Sequence, residues 1–325
     1  MKKIMFAVVL AAMPGWLGSI AHAQSYPNRP VTIIVPLAPG GSTDTIGRIM
    51  AEGIRPHLGQ PVIVENSPGA GGSTGVIRVA RSNPDGYTVQ IGQWGTNVAS
   101  GAVYNLPIDL LTDLEPVALI ATQPSMIIGR KNLPADSLGE LIAYIKANPG
   151  KVSVGNAGIG SPGHVSGVFF QNSIGGQMTF VPYRSAGPAV QDLLAGNIDM
   201  MMDTAATSGG HVRGGLLKAF AMTSDKRSPV MPDVPTTDEA GLPGFRFYFW
   251  HAFWVPKGTP KDVIAKLNDA TMKALADPAV RKRLLDIGQE LFGPDMSSPA
   301  ALGKFQKAEI EKWWPVINAA GIKAQ

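Results

Sequence analysis

The chain has 325 residues, which is enough for two domains with a buried core. It is 45% hydrophobic and 16% charged, a composition that excludes a disordered chain. The absence of cysteine excludes disulfide bonds, thiolate metal sites and a cysteine nucleophile.

The N-terminus has the pattern of a cleaved export signal. Lys2 and Lys3 precede an apolar run over residues 4–17, and Ala21-His22-Ala23 matches a signal-peptidase site. We therefore predict a signal peptide over residues 1–23 and a periplasmic mature chain that starts near Gln24. Removal of the two lysines leaves 26 basic residues against 24 acidic ones, too weak a charge for nucleic-acid binding. No later stretch has the roughly 18 apolar residues of a spanning helix, so we expect the mature protein not to be embedded in a membrane.

Short apolar strands alternate with amphipathic helices from Pro30 onward, which predicts a largely parallel α/β architecture. The first series consists of strands over 31–35, 60–65 and 87–92 with helices over 42–57 and 75–80. The second series has strands over 116–122, 126–130, 151–155, 179–182, 198–202 and 218–223. Its helices are predicted after the capping box that begins at Ser137, and over 162–170 and 186–195.

Beyond Phe249 the pattern becomes mostly helical. Helix starts are indicated at Thr259-Pro260, Asp277-Pro278 and Ser298-Pro299, because a capping residue precedes proline at the first helical position. The last helix has an apolar face, which we assign to the first lobe. The prediction is therefore an α/β fold with two lobes, over 24–124 plus 250–325 and over 125–249, each a sheet flanked by helices.

Residues 36–44 form the first candidate anion site, directly after a strand and at a helix start. Two glycines let backbone N–H groups approach a ligand, hydroxyl groups add donors, and the helix start adds partial positive charge. This suits a carboxylate or a phosphate, although an ordinary turn with Ser42 as helix cap explains the segment equally well. For Asp44 we favour organising the loop over binding an anion. The candidate ligand-binding residues here are Pro39, Gly40, Gly41, Ser42, Thr43 and Asp44.

Residues 155–164 form a second candidate anion site, again between a strand and a helix start. Four glycines, polar side chains and a histidine provide Asn156, Gly160, Ser161 and His164 as candidates. The same segment matches the dinucleotide fingerprint, yet no acidic residue follows before Asp192, beyond the offset at which a ribose ligand is expected. We therefore expect no cofactor.

Three further segments follow strand ends and are candidates for the mouth of a cleft. The first contains Trp94, Thr96 and Asn97, where Trp94 is either core or a stacking surface for a flat ligand. The second is Tyr183 with Arg184, the one guanidinium candidate near an anion site. The third is Asp203.

Two catalytic patterns are weak. Gly71-Gly72-Ser73-Thr74-Gly75 fits the nucleophile elbow of hydrolases, but six residues separate Gly72 from the preceding strand. The histidines of the mature chain are too far apart for a metal motif, so no metal site is expected; we interpret His57 as a helix-surface residue and His251 as a core or strand residue. An exported esterase using Ser73 remains the alternative from another class.

Taken together, the segments resemble the extracytoplasmic solute receptors of tripartite tricarboxylate transporters, also called Bug proteins. The matching segments cover nearly the whole mature chain. They are Tyr26-Pro27-Asn28-Arg29-Pro30, residues 36–44, Val64-Glu65-Asn66 with 69–75, Asn83-Pro84-Asp85-Gly86-Tyr87, residues 158–164, Val181-Pro182-Tyr183 with Gly187-Pro188-Ala189, Pro232-Asp233-Val234-Pro235-Thr236, Pro256-Lys257-Gly258-Thr259-Pro260, and Trp314 with Ala320-Gly321. Two departures are Trp94, where a small residue is expected, and Gly209-Gly210-His211, which lacks the usual proline.

The resemblance implies a two-lobed periplasmic binding protein of the Venus flytrap type that is not an enzyme. It would capture a carboxylate, such as an aromatic or dicarboxylic acid, and deliver it to the membrane permease subunits of the transporter. The family holds the ligand carboxylate with the loops at 36–44 and 155–164, largely through backbone groups and waters. We expect a monomer. A ligand-sensing receptor that signals to a membrane kinase remains a further alternative.

Overall fold

The computed structural model describes residues 26–324, and the signal peptide expected over 1–23 lies outside them. The strands are β1 (Val31–Val35), β2 (Val62–Asn66), β3 (Thr88–Gln93), β4 (Leu114–Pro124), β5 (Met126–Arg130), β6 (Ser153–Asn156), β7 (Thr179–Pro182), β8 (Met200–Asp203), β9 (Leu217–Met222), β10 (Tyr248–Pro256) and β11 (Glu290–Leu291). The helices are α1 (Ser42–Leu58), α2 (Ser73–Ala80), α3 (Ser100–Val103), α4 (Leu138–Ala147), α5 (Pro162–Ile174), α6 (Ala186–Ala195), α7 (Ala205–Arg213), α8 (Lys261–Ala276), α9 (Pro278–Asp286) and α10 (Pro299–Ala319). Within residues 26–324, every helix is too short or too polar to cross a membrane.

The strands form two separate mixed sheets, one in each lobe. The first has the order β11-β4-β10-β3-β1-β2 and the second β7-β6-β8-β5-β9. Among the named strands of residues 26–324, parallel pairing is confined to β1 with β2 and β3, and to β6 with β7 and β8. The remaining pairs are antiparallel, so the expectation of largely parallel sheets is correct only for these two triplets. The fold is the α/β, two-lobed architecture that the sequence predicts.

The chain passes between the lobes twice. The first passage is the short step from β4 to β5, and the second follows β9 and ends where β10 returns to the first sheet. Strand β10 continues to Pro256, so the mostly helical region begins later than Phe249, where the sequence pattern placed it. Its aromatic and β-branched residues suit a buried central strand. Because β10 starts at Tyr248, its first residues lie beside the second passage, next to the cleft.

Local capping signals fix several helix starts. Asp277 and Ser298 accept hydrogen bonds from backbone N–H groups of α9 and α10, as predicted. Thr259 does not cap α8: Pro260 holds the cap position, and the Thr259 hydroxyl donates to the Pro256 carbonyl at 2.7 Å. The last helix packs its buried residues against the first sheet, in a cluster that contains Leu302, Ile310, Trp313 and Ile317.

Candidate functional site

A cavity between the lobes lies where parallel strands of both sheets end. Its walls include the residues that follow β1 and β6 and the last residues of β3 and β8, the position at which open α/β sheets bind ligands. This inner cavity has a volume of about 60 Å³. Its lining residues are Leu37, Ala38, Gly41, Ser42, Thr43, Asp44, Gln93, Asn156, Ala157, Pro162, Gly163, Ser185, Ala186, Met201, Met202, Asp203, Thr204, Thr207, Phe249 and His251.

Four helices begin at the inner cavity. The first residues of α1 come from one lobe, and the first residues of α5, α6 and α7 come from the other. A helix start carries unpaired backbone N–H groups and partial positive charge, so each of the four favours an anion. No lysine or arginine is among the cavity-lining residues within the described chain. The arrangement therefore attracts an anion through dipoles and hydrogen-bond donors, with no formal positive charge.

Asp44 organises the first glycine-rich loop, as the sequence predicted. Its carboxylate accepts hydrogen bonds from the backbone N–H of Gly40 at 3.1 Å, from Arg48 at 3.2 Å and from Asn66 at 3.0 Å. Burial alone would raise the pKa of this carboxyl, but these hydrogen bonds and the charge of Arg48 lower it below its ordinary value. These hydrogen bonds hold the shape of the loop, and the Gly40 N–H already donates to Asp44. The interpretation of Ser42 as helix cap is wrong, since Gly41 holds the cap position and Ser42 begins α1.

His251 is a site residue that sequence reasoning missed. It lies in a buried strand, as predicted, but it also lines the inner cavity, with its Nε2 3.2 Å from the Thr43 hydroxyl. Burial lowers its pKa to about 3, so the ring is neutral at physiological pH. Its Nδ1 atom has no hydrogen-bond partner within residues 26–324. Because β10 runs antiparallel to β3, His251 pairs with Gln93, the last residue of β3, which also lines the cavity.

The second lobe contributes Asn156, Ser161 and Asp203, all three predicted from the sequence. The Asn156 side-chain oxygen accepts the Gly158 N–H at 3.0 Å, and its buried amide nitrogen has no partner among the described residues. Ser161 caps α5 by accepting the His164 N–H at 3.3 Å, so it shapes the loop from just outside the inner cavity. Asp203 is 4% exposed, and its carboxylate accepts a hydrogen bond from the Ser208 hydroxyl. Burial raises the pKa of Asp203 to about 6.

The structure corrects the expectation that His164 faces the ligand. Its Nδ1 accepts the backbone N–H of Gly160 at 3.1 Å, and its ring contacts Phe180 edge-on. The side chain lines a different groove, shared with the C-terminal residues 320–323. His164 and Gly160 therefore hold the shape of the loop from behind. Burial lowers the pKa of His164 to about 4, which keeps the ring neutral and able to accept this hydrogen bond.

Trp94, Thr96 and Asn97 are likewise placed behind the cavity surface. The Trp94 ring is fully buried, with the rings of Phe247 and Trp313 at centroid distances of 5.0 and 5.4 Å. Thr96 and Asn97 belong to a π-helical turn over Gly95–Ala99, and both are fully buried. The Thr96 hydroxyl donates to Asn97 at 2.7 Å. Trp94 is therefore a core residue in an aromatic cluster, and the idea that it stacks on a ligand is wrong.

A larger outer cavity, of about 690 Å³, continues from the inner one and shares Leu37, Ala38, Ala157 and Ser185 with it. Pro39, Tyr183 and Arg184 line this outer cavity, with residues 68–72 on the opposite side. Arg184 is exposed there. The Tyr183 hydroxyl donates to Asp192 at 2.6 Å, so it is tied to its own lobe.

Within residues 26–324, Ser73 is not arranged as the nucleophile of a hydrolase. Ser73 is 3% exposed, and its hydroxyl has no hydrogen-bond partner within residues 26–324, so nothing there activates it as a nucleophile. The described residues also contain no cluster of three histidine or acidic side chains that could hold a metal ion.

Comparison with known proteins identifies the family. Residues 46–322 match the model of the tripartite tricarboxylate transporter family receptor. The chain belongs to this family. A UPF0065 protein encoded in the TAR-I ttuE-ttuC' intergenic region of Agrobacterium vitis is 40% identical over 322 residues, which cover 99% of this chain and 92% of that protein.

Solved structures of receptors share the two-lobed fold. The periplasmic binding protein BugD superposes with a TM-score of 0.87 at 39% identity, covering 92% of this chain and all of BugD. MatC from Rhodopseudomonas palustris, solved with bound malate, gives a TM-score of 0.86 at 38% identity and covers 90% of this chain and all of MatC. The fold and the family of solute-binding receptors are therefore both established for this chain.

Proposed function

We propose that this receptor captures a small carboxylate between its lobes in the periplasm and delivers it to the membrane subunits of a tripartite tricarboxylate transporter. The observation that carries the proposal is the convergence of four helix starts from two lobes on one cavity. A carboxylate that accepts hydrogen bonds from both lobes stabilises the closed arrangement over the open one. MatC, whose structure holds malate, provides independent support for a carboxylate as the ligand class.

Four of the candidate residues have a definite role in this proposal. The ligand carboxylate would lie in the inner cavity, with the hydroxyls of Ser42 and Thr43 on one side and the free amide nitrogen of Asn156 on the other. The rest of the ligand would extend into the outer cavity, towards Arg184. A second carboxylate there would meet the only guanidinium group that lines either cavity within the described residues.

The domain and location assignments complete the proposal. We propose that residues 24–124 with 250–325 and residues 125–249 move as two bodies, hinged at the two passages between the sheets. The signal peptide over 1–23 would direct a monomeric, non-catalytic protein to the periplasm. Binding alone supplies what a delivery receptor requires, so no reaction is assigned to Ser73.

Thermal unfolding with a panel of di- and tricarboxylates, amino acids and aromatic acids tests the ligand class. A true ligand at about 100 times its Kd should raise the free energy of unfolding by about 2.7 kcal/mol. Thr43→Val should lower the affinity for that ligand, because it removes a hydroxyl at the inner cavity. Thr32→Val in the preceding strand should leave the affinity for the ligand unchanged. A panel without any stabilising carboxylate, or equal effects of the two variants, would contradict the proposal.

A further inference from the structure

The glycine-rich loop after β6 rests directly on the first lobe. A Cβ atom added to Gly160 would lie 2.8 Å from the Val103 side chain, so no side chain fits there. A Cβ atom added to Gly95 would lie 2.7 Å from the Pro162 ring. The lobe-2 loop that ends at the start of α5 is therefore seated on the segment from Gly95 to Tyr104, which comprises the π-helical turn and α3.

A hydrogen bond between the lobes reinforces this contact. The hydroxyl of Tyr104, directly after α3, donates to the backbone carbonyl of Ile159 at 2.8 Å. Within residues 26–324, the other hydrogen bonds that link the two lobes lie where β4 and β10 meet beside the passages, such as the one from the Thr122 hydroxyl to the Phe249 carbonyl at 2.9 Å. Burial raises the pKa of Tyr104, which keeps the phenol protonated and able to donate.

Tyr104 also contacts the wall of the outer cavity. Gly71, which lines this cavity, has a positive φ of 63°, and a Cβ atom there would overlap the Tyr104 hydroxyl. The phenol therefore lies between the Gly71 loop of lobe 1 and the Ile159 carbonyl of lobe 2. It lines neither of the two cavities within the described residues, so it is not placed to touch a ligand.

We propose that Tyr104 is a latch between the lobes: its hydroxyl holds the loop after β6 against lobe 1 and so favours the closed, ligand-binding arrangement. It acts as a positioning residue, since it works through the loop that carries Asn156 and the start of α5. The inference rests on the proposed function for the role of closure. A net hydrogen bond of ordinary strength shifts the equilibrium between closed and open lobes roughly 2- to 12-fold.

A distance measurement between the lobes tests the latch directly. Because the chain lacks cysteine, Lys304→Cys in α10 and Lys151→Cys before β6 introduce two exposed sites for spin labels, one in each lobe. Tyr104→Phe removes only the hydroxyl. Tyr26→Phe is the matched control, because the Tyr26 hydroxyl also donates to a backbone carbonyl, that of Gly86 at 2.7 Å, but within lobe 1. Circular dichroism confirms that each variant is folded.

The latch predicts that Tyr104→Phe shifts the ligand-free distance distribution towards longer, open distances, whereas Tyr26→Phe leaves it unchanged. Malate, used as the probe, should bind Tyr104→Phe roughly 2- to 12-fold more weakly through faster dissociation. Gly71→Ala, which forces a methyl group against the hydroxyl, should shift the distances in the same direction. Identical distance distributions for wild type and Tyr104→Phe would overturn the latch. Failure of malate to bind would instead count against the proposed ligand, because the ligand-free comparison does not depend on it.

Discussion

Replacement of Asp203 with asparagine tests how the inner cavity accepts an anion beside a buried carboxyl group. Three titratable side chains line this cavity, namely Asp44, Asp203 and His251. Asp44 stays ionised because Arg48 and its other donors lower its pKa, and His251 stays neutral because burial lowers its pKa to about 3. Asp203 alone has a pKa near the working range, about 6, and no lysine or arginine shares the cavity with it within the described residues.

The size of the effect follows from this pKa. A pH of about 7.5 is about 1.5 units above the pKa of the Asp203 carboxyl, so only roughly 3% of the molecules carry the proton. If a ligand carboxylate binds only beside the neutral form, protonation costs about 2 kcal/mol at that pH, or about 30-fold in affinity. Wild-type affinity for malate should then rise towards pH 6 and level off below it. Asp203→Asn should bind up to about 30-fold more tightly than wild type at pH 7.5.

Calorimetry in two buffers with different ionisation enthalpies measures both quantities. Wild type should take up nearly one proton per bound malate at pH 7.5, and Asp203→Asn should take up none. Asp233→Asn, an exposed carboxyl in the same lobe, serves as the control and should behave as wild type. The reasoning is refuted if wild-type affinity is constant between pH 6 and 8, or if Asp203→Asn abolishes binding.

Three further predictions concern acid stability, the core and the cavity mouth. Burial lowers the pKa of His164 to about 4, so the unfolded chain binds a proton below pH 6.5 that the folded chain does not. The His164 share of the fall in the free energy of unfolding should be about 2 kcal/mol by pH 5, so urea titrations of His164→Gln should show a flatter pH profile than wild type. Trp94→Ala should lower the free energy of unfolding in urea by about 3–5 kcal/mol and weaken the binding of aromatic and aliphatic acids equally. A loss of binding confined to aromatic acids would restore Trp94 as a ligand contact. Arg184→Gln should weaken the binding of malate about 2- to 5-fold, measured by calorimetry, and leave the binding of lactate unchanged. An equal loss of affinity for both acids would exclude Arg184 as the partner of a second carboxylate.

The parts of the fold that depend on local sequence were predictable. Caps such as Asp277 and Ser298 act on backbone groups two or three residues away, so the helix starts follow from the sequence alone. Thr259 shows the limit of this reasoning, because its hydroxyl can bond the preceding turn as well as the following helix, and the structure uses the turn. Both glycine-rich loops were found for the same reason, since strand, glycines and helix start are contiguous.

The rest of the site depends on contacts between distant segments. His251 reaches the cavity because β10 lies antiparallel beside β3, a pairing of residues more than 150 positions apart. Trp94 follows a strand whose end faces the cleft, which explains why the sequence left it open as either a ligand contact or a core residue. The π-helical turn after it and the aromatic rings of Phe247 and Trp313 bury it instead. A strand pattern gives the position of a residue along the sheet, but not what covers its side chain.

A crystal structure of the mature protein with its carboxylate ligand is the most direct test of the central claim. The account predicts the carboxylate in the inner cavity, accepting hydrogen bonds directly or through water from donors at the start of α1 and from the loop that precedes α5. A carboxylate bound outside the inner cavity, or held by donors of one lobe only, would contradict it.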